Sequence, residues 1–383
     1  MPIEFKRTWS DPTLESFRDS VVRFIESEVQ PGDEEARRRG HVGHQVWREA
    51  GKLGLLCTDI PEEYGGAGGD FRHEAVIHEE LARRGLTGMN NAVHSIVAHY
   101  LLSHGTEEQK KRYLPRLASG ELVGAIAMTE PGTGSDLKGI RTRAERHADH
   151  YIINGSKTFI SNGFLAGLVL VVCKTGGAEG SRGMSILLVE TEGLAGYRVG
   201  RVLDKMGMKA QDTSELFFDN VTVPHDRVLG GQEGQGMYQL MQDLPYERLI
   251  IGVTGVAMME GGFEATLQYV NERKAFGQRI ADFQNTRFKL AEIATQIRVG
   301  RAFVDQCIEE MLEGTLDTAT ASMAKMWVSD TQNRVLDELL QLWGGYGYMN
   351  EYPIARMYAD ARVQRIYGGT NEIMKEVIAR SLA

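Results

Sequence analysis

The chain has 383 residues, 42% hydrophobic and 25% charged, with 44 glycines, 9 prolines and a net charge of −9 from 43 Lys and Arg against 52 Asp and Glu. That length and apolar content predict two or three packed cores and exclude a disordered chain. The acidic balance argues against nucleic acid or an anionic membrane as the main partner, and three scattered cysteines, Cys57, Cys173 and Cys307, are too few for a disulfide framework or a paired-cysteine metal site.

The opening segment Met1 to Arg7 lacks the apolar stretch of a leader, which predicts a cytoplasmic protein. No apolar run approaches the roughly 20 residues needed to span a bilayer. Residues 1–122 read as helical. Asp11 caps a helix with Pro12 at its first position, and Leu14, Phe17, Val21, Phe24 and Ile25 recur at helical spacing. A glycine-dense loop over 61–69 precedes a second helix over 73–84, stopped at Gly85. Thr106 and Gln109 form a capping box for a helix that runs towards Leu114 and Pro115.

From about residue 123 short β-branched runs separated by turn residues predict a β domain over 123–232. Segment 151–160 reads as a hairpin turning at Asn154-Gly155, and 168–173, 184–189 and 215–223 read as strands. Over 233–383 helical patterns return. Leu290, Ile293, Ile297, Val304, Ile308 and Met311 make one apolar stripe, and Ala321, Ala324, Val328, Val335, Leu339 and Leu342 another. The fold class is therefore α+β: a helical domain, a β-barrel or sandwich domain, and a C-terminal four-helix bundle.

Two motifs fail on spacing. His73 and His78 flank a Glu74 in zinc-protease fashion, but five helical steps put the imidazoles roughly 140° apart, so the pair is read as structural and no metal is expected. The glycines at 65–69 have neither the order nor the flanking lysine of a phosphate loop. By contrast Thr129, Gly132, Gly134 and Ser135 lie in a loop whose backbone N–H groups suit a flat heteroaromatic ring or an anion. Taken alone, such a segment is more often just a turn. It has company in the blocks 157–162, 273–277 with Gln284, 341–345 and 367–372.

These blocks, in this order, resemble those of the acyl-CoA dehydrogenase family, and the likeness covers essentially the whole chain. The segments 209–213, 244–249 and 366–375 look most like its long-chain branch. The resemblance implies an FAD enzyme that makes the 2,3-double bond of an enoyl-CoA. It implies that Met128, Thr129, Gly134 and Ser135 hold the flavin, with Ser135 shared with the thioester, and that Phe159, Ile160 and Ser161 line the other side of the ring. Arg273, Phe276, Gln284, Gln341, Leu342, Gly344 and Gly345 correspond to positions that hold pyrophosphate and adenosine across a subunit boundary, and Thr370, Asn371 and Glu372 complete the cofactor site. A homotetramer, a dimer of dimers, follows, with an electron-transfer flavoprotein as acceptor.

The reaction needs a carboxylate at the α-carbon and donors on the thioester oxygen. Much of the family keeps its acid where this chain has Gly368. A minority place it on the helix that begins the C-terminal bundle, at a Glu-Arg pair matched here by Glu247 and Arg248, so Glu247 is the expected base. The alternative is a surface glutamate paired with a neighbour. Gly368 is left to donate its backbone N–H to the thioester oxygen, with Arg248 and Gly369 near the substrate. Burial is expected to raise the pKa of Glu247. The helical stretch 89–100, with His94 and His99, is either a wall for the acyl tail or ordinary packing. Competing functions are a branched-chain, isovaleryl-type or citronellyl-type dehydrogenase, an oxidase using dioxygen, and a non-catalytic nucleic-acid-binding member, against which the acidic charge weighs.

Overall fold

The computed structural model describes residues 7–176 and 183–382. The expectation about the chain's start rests on residues 1–6, which lie outside the described residues. Six helices come first: α1 (Pro12–Phe24), α2 (Asp33–Arg39), α3 (His44–Lys52), α4 (Phe71–Arg83), α5 (Asn91–His104) and α6 (Glu107–Ala118). Asp11 caps α1 by accepting from the Thr13 and Leu14 N–H groups, both at 2.9 Å. α4 starts two residues before its expected position because Asp70 caps it, with His73 completing the box by accepting from the Asp70 N–H. That accounts for one of the two histidines. α6 opens on the expected Thr106 box but continues through Pro115 to Ala118, since Tyr113, Leu114, Leu117 and Ala118 anchor its buried face while Pro115 is exposed.

Among the described residues seven strands form one sheet: β1 (Gly124–Ala127), β2 (Arg143–Arg146), β3 (His150–Ser161), β4 (Leu168–Thr175), β5 (Met184–Glu190), β6 (Tyr197–Val202) and β7 (Thr213–Pro224). The expected hairpin at Asn154-Gly155 is not one. β3 continues through the pair and runs against β7, antiparallel from His150–Pro224 to Ser161–Thr213, with the register shifting beside Asn154, where β7 carries the extra residue, and again before Ile160, where β3 does. Asn154 Oδ1 accepts the Asn220 N–H at 2.8 Å, and a side chain on Gly155 would meet Thr142 Oγ1 at 2.5 Å. Close approach, not chain reversal, explains that glycine.

The remaining chain is helical: α7 (Gly236–Gln242), α8 (Leu244–Glu272), α9 (Gln284–Leu312), α10 (Thr318–Leu342), α11 (Pro353–Ala361) and α12 (Asn371–Ser381), with a small ladder between Lys274–Ala275 and Gln278–Arg279 after α8. Both expected apolar stripes are buried, except that Met311 and Leu342 are only partly covered. α8 is buried on nearly every side, which makes it the central helix. At Gly261 a side chain would meet the Arg83 carbonyl at 1.8 Å, so α4 crosses α8 there in backbone contact.

The first and last helical segments share a core. Trp47, Ala75, Val76, Val253, Val256, Ile297 and Leu336 belong to one apolar cluster, whereas β3, β7 and their neighbours enclose another. Within the shared interior Arg301 donates to Glu79 at 2.5 Å and to Glu260 at 2.9 Å, all three at most 1% exposed. Burial pushes Glu79 up, but Arg301, Arg7 and Arg18 outweigh it and hold the carboxyl at about 2. The three cysteines are free and buried. Among the described residues no helix is long and apolar enough to cross a membrane.

Candidate active site

Glu247 stands in the first turn of α8, where Pro245 occupies an N-terminal position that needs no N–H. Its side chain is buried, not a surface one. The Tyr100 hydroxyl, on α5, donates to Glu247 Oε1 at 2.8 Å. Burial pushes this carboxyl up to about 7; the Tyr100 hydrogen bond opposes the shift, Asp243 adds to it and Arg248 opposes it. A carboxylate poised near neutrality is what a general base requires.

Gly368 and Gly369 form a turn with φ of +64° and +87°, a region that glycine enters freely. Ile251, one turn beyond Glu247 on the same face of α8, has its Cδ1 2.4 Å from where a Gly368 side chain would begin. The turn that carries Gly368 is thereby set against the helix face that carries Glu247. Lys325 of α10, 0% exposed, fixes this turn by donating to the Gly369 carbonyl at 2.7 Å and to Asn371 Oδ1 at 2.8 Å. Burial lowers its ammonium to about 8. Arg248 is also buried; its Nη1 donates to Ser322 Oγ at 2.9 Å, and its Nε finds no partner among the described residues.

Met128, Thr129, Gly134 and Ser135 follow β1, and Phe159, Ile160 and Ser161 end β3. The two groups are joined: the Thr158 N–H donates to the Thr129 carbonyl at 2.9 Å, and Lys157 Nζ to the Met128 carbonyl at 2.9 Å. Lys157 is fully buried against Glu130, which also accepts the Arg141 and Thr142 N–H groups and so closes the base of the loop. Phe159 takes φ of +59° and is 67% exposed, whereas Ile160 points into the sheet core. Ser161 accepts from Gln211.

A second group surrounds a cavity of about 390 Å³ lined by Tyr269, Arg273, Ile280, Leu342, Trp343, Gly344, Gly345, Tyr346 and Met349. It contains four expected residues, and the Arg273 guanidinium lies over the Tyr346 ring at 5.5 Å. Gln341 sits in the last turn of α10, Gln284 begins α9, and Phe276, between the two short strands, is 96% exposed. Thr370 caps α12 through the Ile373 N–H, with Glu372 in its first turn; Asn371 is turned inward to Lys325 and Ser329. Among the described residues no His, Cys, Asp and Glu cluster could hold a metal ion.

Sequence reasoning did not single out Tyr100 or Lys325. Tyr100 leaves no local signal, because its partner is 147 residues away. Lys325 does: it stands between Ala324 and Val328 on an apolar stripe, where a charge needs a buried partner. His94 is structural. It accepts the Gly124 N–H on Nδ1 and pairs with the Leu117 carbonyl through Nε2, both at 3.1 Å, joining α5 to β1.

The helical, β, helical chain thus presents a buried near-neutral carboxylate and an open glycine loop whose neighbouring strand carries an exposed aromatic. Sequence profiles of the acyl-CoA dehydrogenase N-terminal, middle and C-terminal domains match residues 11–121, 125–221 and 234–383. The mitochondrial long-chain specific acyl-CoA dehydrogenase of Mus musculus is 51% identical over 369 residues, 96% of this chain and 85% of that one. An acyl-CoA dehydrogenase from Geobacillus kaustophilus superposes with a TM-score of 0.95 at 45% identity, over 98% of this chain and 100% of that chain. One from Bacillus anthracis, solved as a complex with FAD, gives 0.91 at 33% identity, over 98% and 67%.

This chain belongs to the acyl-CoA dehydrogenase family. It is an oxidoreductase whose cofactor is FAD. The residues present fit that group: Gly132 and Gly134 have nothing within 4 Å of where a side chain would stand, so the loop is open to a flat ring beside the bare face of Phe159.

Proposed function

We propose that the chain dehydrogenates medium-to-long-chain or branched acyl-CoA to trans-2-enoyl-CoA, with Glu247 as the base. The observation that carries this reading is the buried Glu247 carboxyl, raised to about 7, on the helix face against which the Gly368 turn is packed. The 51% identity to a long-chain specific dehydrogenase supports the longer acyl chains. FAD supplies the hydride acceptor when bound. Met128, Thr129, Gly134, Ser135, Phe159 and Ser161 hold its ring, and the cavity group around Arg273, Gly344 and Gly345 takes the remainder of a cofactor shared between subunits of a homotetramer.

In the proposed step Glu247 takes the α-proton, and the electron pair of that C–H bond moves towards the thioester. The Gly368 N–H donates to the thioester oxygen as charge develops there, which lowers the barrier. Ser135, Arg248 and Gly369 orient the substrate, an electron-transfer flavoprotein receives the electrons, and three reduced thiols suit a reducing compartment. The test is anaerobic flavin bleaching by straight and branched acyl-CoAs of about four to twenty carbons. Native protein is expected to bleach with the longer chains, and Glu247→Gln to retain flavin but bleach about 10²–10⁴ times more slowly. Bleaching at the native rate in Glu247→Gln would remove the base assignment.

A further inference from the structure

Two residues on α5 face two at the start of α8. Tyr100 and His104 are four residues apart, as are Asp243 and Glu247, so each pair lies on one helical face. His104 Nε2 lies 2.9 Å from Asp243 Oδ2, and Ser103 Oγ donates to Asp243 Oδ1 at 3.3 Å. Beside them the Tyr100 hydroxyl, 0% exposed, donates to Glu247 Oε1 at 2.8 Å, with the Leu240 carbonyl more distant at 3.5 Å. Among the described residues no other donor reaches the Glu247 carboxyl.

We infer that Tyr100 is the positioning residue of the base: it ties Glu247 Oε1 to α5 and leaves Oε2 to receive the substrate's α-proton. The inference rests on Glu247 being that base. A phenol is a donor at neutral pH, and Oε1 accepts from it whether the carboxyl is ionised or carries its proton on Oε2. The same contact therefore holds before and after proton transfer, and it directs the proton to one oxygen. The charges that face Glu247 are Asp243, one turn back, and Arg248 beside it, with His104 behind Asp243. The Tyr100 bond favours the ionised carboxylate against the burial and the Asp243 charge.

The experiment uses the full-length FAD-loaded protein. Tyr100→Phe keeps the ring and removes the hydroxyl. It is expected to move the acid limb of kcat/KM to higher pH, with about a tenfold loss at pH 6 and little loss above the limb. Replacing Tyr100 by a ring-fluorinated tyrosine, which strengthens the donor while keeping the packing, is expected to move the limb the other way. A third readout is α-hydrogen exchange into D₂O of an acyl-CoA with sulfur at its 3-position, which cannot lose a β-hydride. Exchange is expected to slow below pH 7 in Tyr100→Phe. If Glu247→Gln is inactive yet both Tyr100 variants keep the native acid limb and exchange rate, the positioning role is overturned. If Glu247→Gln stays active, the base reading itself falls, whatever Tyr100 does.

Discussion

Gly368 is packed against Ile251 so closely that a β-carbon at 368 would lie 2.4 Å from the isoleucine Cδ1. The backbone there also has φ of +64°. A side chain at 368 thus meets two separate obstacles, one steric and one conformational. Gly368→Ala is expected to cost about 2–4 kcal/mol, summing left-handed strain and overpacking. Ile251→Ala/Gly368→Ala should recover the steric share relative to the additive sum, as read by a urea denaturation cycle. By the same reasoning Glu247→Gln/Gly368→Glu should not restore activity until Ile251 is shortened. Strict additivity in the cycle would show that the contact is relieved elsewhere.

Burial holds the Glu247 carboxyl near 7, and this has opposite consequences for activity and for stability. In the free enzyme kcat/KM should fall about tenfold per pH unit below 7, as Glu247, the proposed base, becomes protonated. Because the folded pKa lies above the unfolded value, the carboxyl's contribution to stability is full below about 4.5 and is lost as pH rises through 7. Glu247→Gln, which stays neutral, should therefore be more stable than native protein at pH 8 in the same denaturation experiment. A flat kcat/KM from pH 5 to 8 would contradict the acid limb.

Lys325 holds the turn from beneath, through the Gly369 carbonyl and Asn371. Lys325→Met fills the volume but leaves both acceptors without their donor, about 1–3 kcal/mol each if they stay dry. Its kcat should fall more than the variant's flavin content does, because the Gly368 N–H proposed to meet the thioester oxygen is no longer held. Equal loss of kcat and bound flavin would point to a general collapse of the fold instead.

Phe159 sits at φ of +59° with 67% of its surface exposed, a conformation and an environment both unfavourable to phenylalanine. Phe159→Gly should stabilise flavin-free protein by about 1 kcal/mol while weakening FAD retention. Thermal melts with and without added FAD separate the two effects. Loss of stability in the flavin-free protein would show that the backbone strain is already compensated there.

His94 is buried and neutral, pushed down to about 4 by desolvation, with the hydrogen bond to the Leu117 carbonyl and the Glu74 charge opposing the shift only partly. Its folded pKa is below the unfolded value, so stability falls as pH drops from about 6.5 to 4, by up to about 3 kcal/mol. His94→Asn should be less stable at pH 7 and should flatten the slope across that window. An unchanged slope would assign the acid sensitivity to other groups.

Wherever one helix or one cap decides a feature, the sequence is legible. Asp11, the Thr106 box and the two apolar stripes of α9 and α10 carry their own local logic. Legibility ends where a distant partner decides. Asn154-Gly155 has the chemistry of a turn, but Thr142 and Asn220 hold it inside a strand. Pro115 has the chemistry of a helix end, yet the apolar face beyond it keeps α6 going. Tyr100 and Lys325 act through contacts made only after the chain has folded around α8.

The Arg301 cluster bears on how the protein is made. Glu79 leaves the ribosome after Arg7 and Arg18, which pair with it, but 222 residues before Arg301, its fully buried partner. The early helices share one apolar core with α8 and α9, so that core stays incomplete until those helices are made. A nascent chain stalled before residue 301 should be protease-sensitive throughout its first 120 residues, and one released after α9 should not.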